Sequence, residues 1–218
     1  MRREIIWSKA LEVSKKAVDS GAVIPLDTTK YTSSEAFCDY ELRFLKSPIP
    51  RYLREYGPKR NPFIPWDKRL EIESIYNKHT LILNKYPVQL GHMLLITNKW
   101  QPQNGWLNID DFEAIENVDN DTTGLWFFNS SREAGASQPH RHFQLLPRHH
   151  YESICPRYDW FISLLNNHKN NNSLISHSVA IKPRSKDEKF KSNDLYNSYM
   201  SMINEMNLGD FVMNKKPL

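Results

Sequence analysis

Cysteine is scarce in this sequence: Cys38 and Cys155 are the only 2 in 218 residues, and no Cys-x-x-Cys pair occurs. A disulfide framework and a thiol-based zinc or redox site are excluded, and a reducing, cytoplasmic compartment is expected. Long apolar runs are missing as well. No stretch reaches the ~18 apolar residues that a membrane-spanning helix needs. Residues 1–11 carry Arg2, Arg3, Glu4 and Lys9 where a secretory signal would have its apolar run. Nor is there a large charge of one sign. The 29 Lys+Arg and 25 Asp+Glu leave a net +4, with the basic residues gathered locally in residues 51–60 and 182–191. That excess is too weak to argue for a nucleic-acid partner, neither a nucleic-acid nor a membrane role is expected, and a site for a small anionic ligand stays open.

What the sequence does have is enough apolar and aromatic material to fold. Aromatic residues make up 12% of the chain, 6 Trp among them, and charged residues 25%, which is not the composition of a disordered segment. A chain of this length can bury roughly 70% of its unfolded surface, so one large domain or two small ones need no covalent staple.

Residues 4–20 place Ile5, Ile6, Ala10, Leu11, Ala17 and Val18 at helical spacing before Gly21, which predicts a packing helix with a glycine stop. Residues 37–45 alternate, with Tyr40, Leu42 and Phe44 on one face, which predicts a half-buried strand. Five prolines in residues 47–67 make that segment mostly loop. Strands follow at residues 80–83 and 93–97, joined by a hairpin-like link over 84–92. Asn108 or Asp110 caps a helix carrying Ile109, Phe112 and Ile115, which ends before residues 119–124. Further strands are expected at residues 125–128, 140–146 and 174–181, an asparagine-rich loop at 166–172 and a helix at 194–207 with Leu195, Tyr199, Ile203 and Met206 on one stripe. Hairpin-like links between successive strands predict an α+β fold with a largely antiparallel sheet and helices packed on it.

The chemistry concentrates in residues 129–147, which read Asn-Ser-Ser-Arg-Glu-Ala-Gly-Ala-Ser-Gln-Pro-His-Arg-His-Phe-Gln-Leu-Leu-Pro. On an extended strand His140, His142 and Gln144 share one face, with Arg141, Phe143 and Leu145 on the other. Two imidazoles and an amide make a poor core layer, so that face is expected to be wet or to meet a ligand. Just upstream, Gly135-Ala136-Ser137 is a small-residue turn expected to leave backbone N–H groups uncovered for an anion. Three readings stay open. One is phosphoryl or nucleotidyl transfer with an imidazole as the nucleophile. A second is a metal site, which needs a third protein ligand from among His92, His149 and His150. The third is a polar edge strand with surface histidines. The first accounts for the small-residue turn and for Gln144 together, and no metal site is assigned.

Gly135-Ala-Ser-Gln-Pro-His-Arg-His-Phe-Gln144, preceded by Asn129, resembles the His-x-His-x-Gln signature of the ATP adenylyltransferases, also called diadenosine tetraphosphate phosphorylases. These are a branch of the histidine-triad superfamily related to the galactose-1-phosphate uridylyltransferases. The likeness extends through Asn61-Pro-Phe-Ile-Pro65, Leu83-Asn-Lys-Tyr86, residues 92–97 and the helix at 107–115, and covers roughly residues 35–150.

The resemblance implies a single histidine-triad-like nucleotidyltransferase domain over residues 1–218, short of the family's C-terminal segment unless a second polypeptide supplies it. It implies reversible phosphorolysis of diadenosine tetraphosphate to ATP and ADP, with AMP held covalently on His142. His140 would be a supporting neighbour. Gln144 stands where hydrolytic members carry a third histidine; its amide can donate to phosphate but cannot titrate near pH 7. Asn129, Gly135, Ala136, Ser137 and Gln138 would hold phosphates and ribose, Asn84 and Lys85 would reach the nucleotide, and Lys59 would bind phosphate. Trp66, Trp100, Trp106 and Trp126 are the candidates for stacking on adenine. The partners implied are diadenosine tetraphosphate, ATP, ADP, AMP and phosphate. No obligatory cofactor is implied; a divalent cation could arrive bound to the nucleotide. A nucleotide-binding sensor or inactive remnant, and uridylyl transfer to a hexose phosphate, are the alternatives.

Overall fold

Ile6, Ala10, Ser14 and Ala17 recur on one helical stripe, and they are the residues that α1 (Ile5–Asp19) buries. Gly21 stops the helix. It takes a left-handed φ of 68°, Ala22 N–H reaches the Ala17 carbonyl at 2.7 Å and Gly21 N–H reaches the Val18 carbonyl at 2.9 Å, which is a Schellman closure. Ile5, Leu11 and Val18, grouped with the apolar stripe by spacing, lie on the exposed side. The structure, a computed structural model, describes residues 2–33, 40–46, 48, 61–149, 155, 157–168, 179–182 and 191–208.

After the helix, β1 (Thr28–Ser33) and β2 (Tyr40–Leu45) form a separate antiparallel pair. β2 lies within the strand expected over residues 37–45, of which 37–39 fall outside the described residues. The expected half-burial is corrected: Leu42 is 45% and Phe44 58% exposed. The alternation does put aromatic groups on a common face, where Tyr31 meets Phe44 edge-on at 6.3 Å. β1 escaped the sequence reading because Thr-Thr-Lys-Tyr-Thr-Ser has no apolar alternation.

The main sheet has five antiparallel strands in the order β3-β4-β5-β7-β6, formed by β3 (Glu71–Ile75), β4 (His79–Leu83), β5 (Met93–Thr97), β6 (Gly124–Phe127) and β7 (His142–Pro147). This is the expected α+β class. β3 was not legible because its pairing slips between Glu71 and Glu73, so the two buried residues, Ile72 and Ile75, are three apart. Tyr76 and Asn77, at φ 49° and 56°, turn the chain tightly into β4. β4 and β5 match the expected strands and are buried at every position, as central strands covered on both faces must be. In β6, Gly124 is dictated by a close approach: a Cβ there would stand 2.5 Å from Leu145 Cδ1 and 2.7 Å from the Leu146 carbonyl oxygen.

Between β5 and β6 runs α2 (Ile109–Asp119), started by a capping box in which Asn108 and Asp111 each accept from the other's backbone N–H. On it packs α4 (Ser192–Glu205), with the rings of Tyr196 and Tyr199 at 6.1 and 5.5 Å from Phe112. Of the expected stripe on that helix, Ile203 is buried, while Leu195 and Tyr199 pack partly buried on the core. The intervening helix α3 (Tyr158–His168) runs into the start of the loop expected over 166–172, whose residues 169–172 lie outside the described ones. Of the strand expected over 174–181, residues 174–178 lie outside them too, and 179–181 are not in a strand. In the proline-rich segment, residues 48 and 61–67 are described and belong to no helix or strand. No helix among the described residues is long and apolar enough to cross a membrane.

Candidate active site

β7 carries the signature, but it begins at His142; His140 makes a single bridge to Pro102. Of the two fates expected for the extended face, wet or against a ligand, the two imidazoles do not take the first: His140 is 0% and His142 3% exposed. Phe63 walls both rings, edge-on to His140 at 5.5 Å and tilted on His142 at 5.3 Å. Burial is tolerable because three of the four nitrogens of these two rings are hydrogen-bonded within the protein.

His140 is fully committed. The Asn61 side-chain oxygen accepts from Phe63 N–H at 2.9 Å, so its NH₂ is the group 2.9 Å from His140 Nδ1, and Nδ1 must accept. Nε2–H then donates to the Thr97 carbonyl at 2.9 Å, with the Thr97 hydroxyl at 2.8 Å. Burial lowers the His140 pKa and keeps the ring neutral, against the opposing effect of the Thr97 bond.

His142 is held differently. Its Nδ1 lies 2.8 Å from the His140 carbonyl, which can only accept, so Nδ1 carries the proton and Nε2 keeps its lone pair. Nε2 has no protein partner among the described residues. Burial lowers the pKa here too, outweighing the raising effect of the His140 carbonyl, so the neutral ring persists at neutral pH. A neutral imidazole with one pinned N–H and one free lone pair has the electronic form that a nucleophile requires.

Gln144 is oriented by a second asparagine–histidine relay, which sequence spacing did not reveal. The Asn84 side-chain oxygen accepts from Tyr86 N–H at 3.0 Å, and its NH₂ faces His92 Nδ1 at 3.2 Å. His92 Nε2–H therefore donates to Gln144 Oε1 at 3.1 Å, leaving the Gln144 NH₂ as a donor. Asn84, expected to reach the nucleotide, has its amide engaged in this relay.

Burial pushes the His92 pKa down to about 4, against the raising effect of its bond to Gln144. Protonation would set an Nδ1–H against the Asn84 NH₂, so the relay requires the neutral ring. Above the ordinary histidine value of 6.5 its contribution to stability is fully present. Below that value the unfolded chain takes up a proton that the folded one refuses, and stability falls until the folded ring protonates near pH 4. The loss attributable to His92 amounts to about 3 kcal/mol across that window. Urea unfolding at several pH values, wild type against His92→Asn, checks this; an identical pH slope in both proteins would refute it.

The Gly135 region is only partly what was expected. Gly135 has φ 94°, and a Cβ there would meet Asn129 Nδ2 at 3.3 Å, so the structure does bring Asn129 against the turn. The turn's amides are not all uncovered, however: Gly135 N–H bonds the Arg132 carbonyl at 3.0 Å and Ala136 N–H the Ser131 carbonyl at 2.9 Å. The turn closes on itself first, and Ser137 N–H is the one without a partner among the described residues. Ala136 and Gln138 are buried and Ser137 exposed. Lys85 is exposed with its Nζ 5.7 Å from the Tyr86 ring centre. Lys59 lies outside the described residues.

Of the tryptophans, Trp66 donates to Glu71 at 2.6 Å beneath Lys68, Trp100 is exposed, and Trp106 and Trp126 are partly buried. Of the histidines proposed as third metal ligands, His92 is engaged as above, His149 lies against Trp7 at 4.8 Å, and His150 is outside the described residues. Among the described residues no three of His, Cys, Asp and Glu converge as a metal site.

The antiparallel five-stranded sheet, with two buried histidines and a glutamine at the start of one inner strand, defines a histidine-triad-like α+β fold. The family model described as the Ap4A phosphorylase N-terminal domain matches residues 1–156, and the chain belongs to that family. It is 26% identical over 201 residues to Protein APA1 of Saccharomyces cerevisiae, covering 83% of this chain and 63% of that relative. It is 28% identical over 149 residues to diadenosine 5',5'''-P1,P4-tetraphosphate phosphorylase 2 of the same yeast, covering 59% of this chain and 46% of that protein. The chain thus spans less than two thirds of the length of either. Its fold is similar to the crystal structure of yeast Ap4A phosphorylase Apa2, with TM-score 0.64, 21% identity and coverage of 100% of this chain and 74% of the other. The same enzyme in complex with Ap4A matches with TM-score 0.60 at 20% identity, over 95% and 75%.

Proposed function

We propose that the protein is a nucleotidyltransferase that cleaves diadenosine tetraphosphate with inorganic phosphate, giving ATP and ADP by way of AMP bound to His142. The observation that carries this is the neutral His142, its Nδ1–H pinned to the His140 carbonyl and Nε2 left with its lone pair. The shared family and the printed name of the yeast phosphorylase support the choice of substrate.

Nε2 attacks the phosphorus of one terminal adenylate, a P–N bond forms, and the P–O bond to the second phosphate breaks to release ATP. Phosphate then attacks the same phosphorus, the P–N bond breaks, and ADP leaves. The first step expels ATP, a stable anion at neutral pH, and the second expels His142 itself, which leaves as the neutral imidazole with its Nδ1–H still in place, so no titrating acid is needed and a glutamine suffices. The Gln144 NH₂ stabilises the oxygens that gain charge at the transferred phosphorus. Asn129 and the turn at Gly135 face the same phosphates. A divalent cation bound to the polyphosphate would neutralise charge that the protein itself does not.

Incubation with diadenosine tetraphosphate in phosphate buffer is expected to yield equal amounts of ATP and ADP, at a rate that vanishes without phosphate. ATP with AMP, formed at a rate indifferent to phosphate, would mean hydrolysis and refute phosphorolysis. Tight nucleotide binding without products would favour the sensor reading instead.

A further inference from the structure

The ladder between β6 and β7 stops just short of His142, and what stops it is a side chain from elsewhere. The register pairs Gly124 with Pro147 and continues to Phe127 with Gln144. Each step along β6 is one step back along β7, so the next pair of the same kind is Asn129 against His142. Those two residues do not bond to each other. Between them sits the Gln103 amide: Oε1 accepts from His142 N–H at 2.8 Å, and Nε2 donates to the His142 carbonyl at 3.2 Å and the Asn129 carbonyl at 2.7 Å. One primary amide thereby takes the place of a strand's peptide group on the open edge of His142, and all its hydrogen-bonding capacity facing the two chains is used.

Gln103 is itself anchored. Its N–H bonds the Pro139 carbonyl at 2.8 Å, Arg141 N–H bonds the Gln101 carbonyl at 2.9 Å, and the side chain is buried at 3% exposure. On the other edge β5 pairs Ile96 with His142. Both backbone groups of His142 turn to Gln103 and away from β5, where the bond across the ladder is made by Arg141, whose carbonyl accepts from Thr97 N–H at 3.2 Å; Asn129 is held one amide's width away. Direct pairing of Asn129 with His142 would close that gap.

We propose that Gln103 is a positioning residue for adenylyl transfer: its amide wedges β6 from β7, fixing the line of attack of His142 Nε2 and keeping Asn129 apart from it. This rests on the reading of His142 as the nucleophile. Neither Glu nor Met can replace the amide, since a carboxylate offers no donor to two carbonyls and a thioether offers neither donor nor useful acceptor.

The test compares wild type with Gln103→Met and Gln103→Glu by single-turnover labelling at saturating diadenosine tetraphosphate, and by NMR hydrogen exchange at the His142 amide. Adduct formation is expected to slow ~10²-fold in each variant that folds, the scale of a misplaced nucleophile. Protection of the His142 N–H should fall at least about tenfold in the Met variant, relative to amides of β4 and β5. A labelling rate within about threefold of wild type, in protein that melts cooperatively, would reduce Gln103 to a structural role and overturn the proposal. Unchanged protection at His142 would overturn it whether or not the wild type turns over. An absent adduct in the wild type would sink the nucleophile reading alone, with the exchange result still deciding whether the wedge exists.

Discussion

Replacing His142 by alanine is expected to abolish the labelled nucleotide adduct and to lower kcat by at least ~10⁴-fold, because the proposed reaction loses its covalent route. Labelled wild-type protein should carry a phosphoramidate, stable to alkali and labile to acid. His140→Ala is expected to retain the adduct while reacting more slowly. The asymmetry follows from hydrogen bonding. Both nitrogens of His140 are engaged, one by Asn61 and the other by Thr97. His142 has only Nδ1 engaged, by the His140 carbonyl. Swapping attack to His140 would require breaking a buried hydrogen bond to free a lone pair, at a cost of about 1–3 kcal/mol before any chemistry. Equal labelling of wild type and His142→Ala would remove His142 from the role.

The signature itself could be read from the chain, because its residues are close together and a strand's period fixes which of them share a face. The same holds for β4, β5 and α2, whose apolar patterns and cap are local. What could not be read is what reaches the signature from far along the chain. His92 lies 52 residues from Gln144, Gln103 lies 39 from His142, and Asp111 lies 30 from Arg141. No periodicity links such pairs; only the strand order β4-β5-β7 brings them together. Asn61 and Asn84 belong to the resembling segments, yet the reason for an amide at each is a histidine tautomer: that of His140, 79 residues on, and that of His92, across the β4–β5 link. That the two imidazoles are dry was illegible for the same reason. Phe63 comes from the proline-rich segment, where spacing gave no hint that it would cover two imidazoles.

On the reverse face of the signature, Arg141→Met is expected to destabilise the fold by about 3–5 kcal/mol, the largest stability effect of any single change considered for this region. Arg141 NH1 donates to Asp111 at 2.9 Å, and its other nitrogens donate to the Pro102 and Trp106 carbonyls at 3.2 and 3.3 Å. Asp111 is 0% exposed, and its second oxygen faces His79 Nε2 at 3.0 Å. Removing the guanidinium strands a carboxylate and two carbonyls in the interior, whereas removing both charges restores part of the loss. Asp111→Leu combined with Arg141→Met should therefore lie well above the sum of the single losses, with a coupling of about 2 kcal/mol by denaturant unfolding. Recovery will be incomplete, because Asp111 also accepts from Asn108 N–H in the capping box of α2. Additive losses, or an Arg141→Met cost under about 1 kcal/mol, would show that the pair is not the anchor. The position of Arg141 gives this a functional edge. It sits between His140 and His142 in the chain, so the ion pair that ties α2 to the sheet also fixes the backbone from which the two imidazoles project. A partly destabilised Asp111 variant should then lose the proposed adenylyl transfer, measured as labelled adduct, before it loses cooperative unfolding.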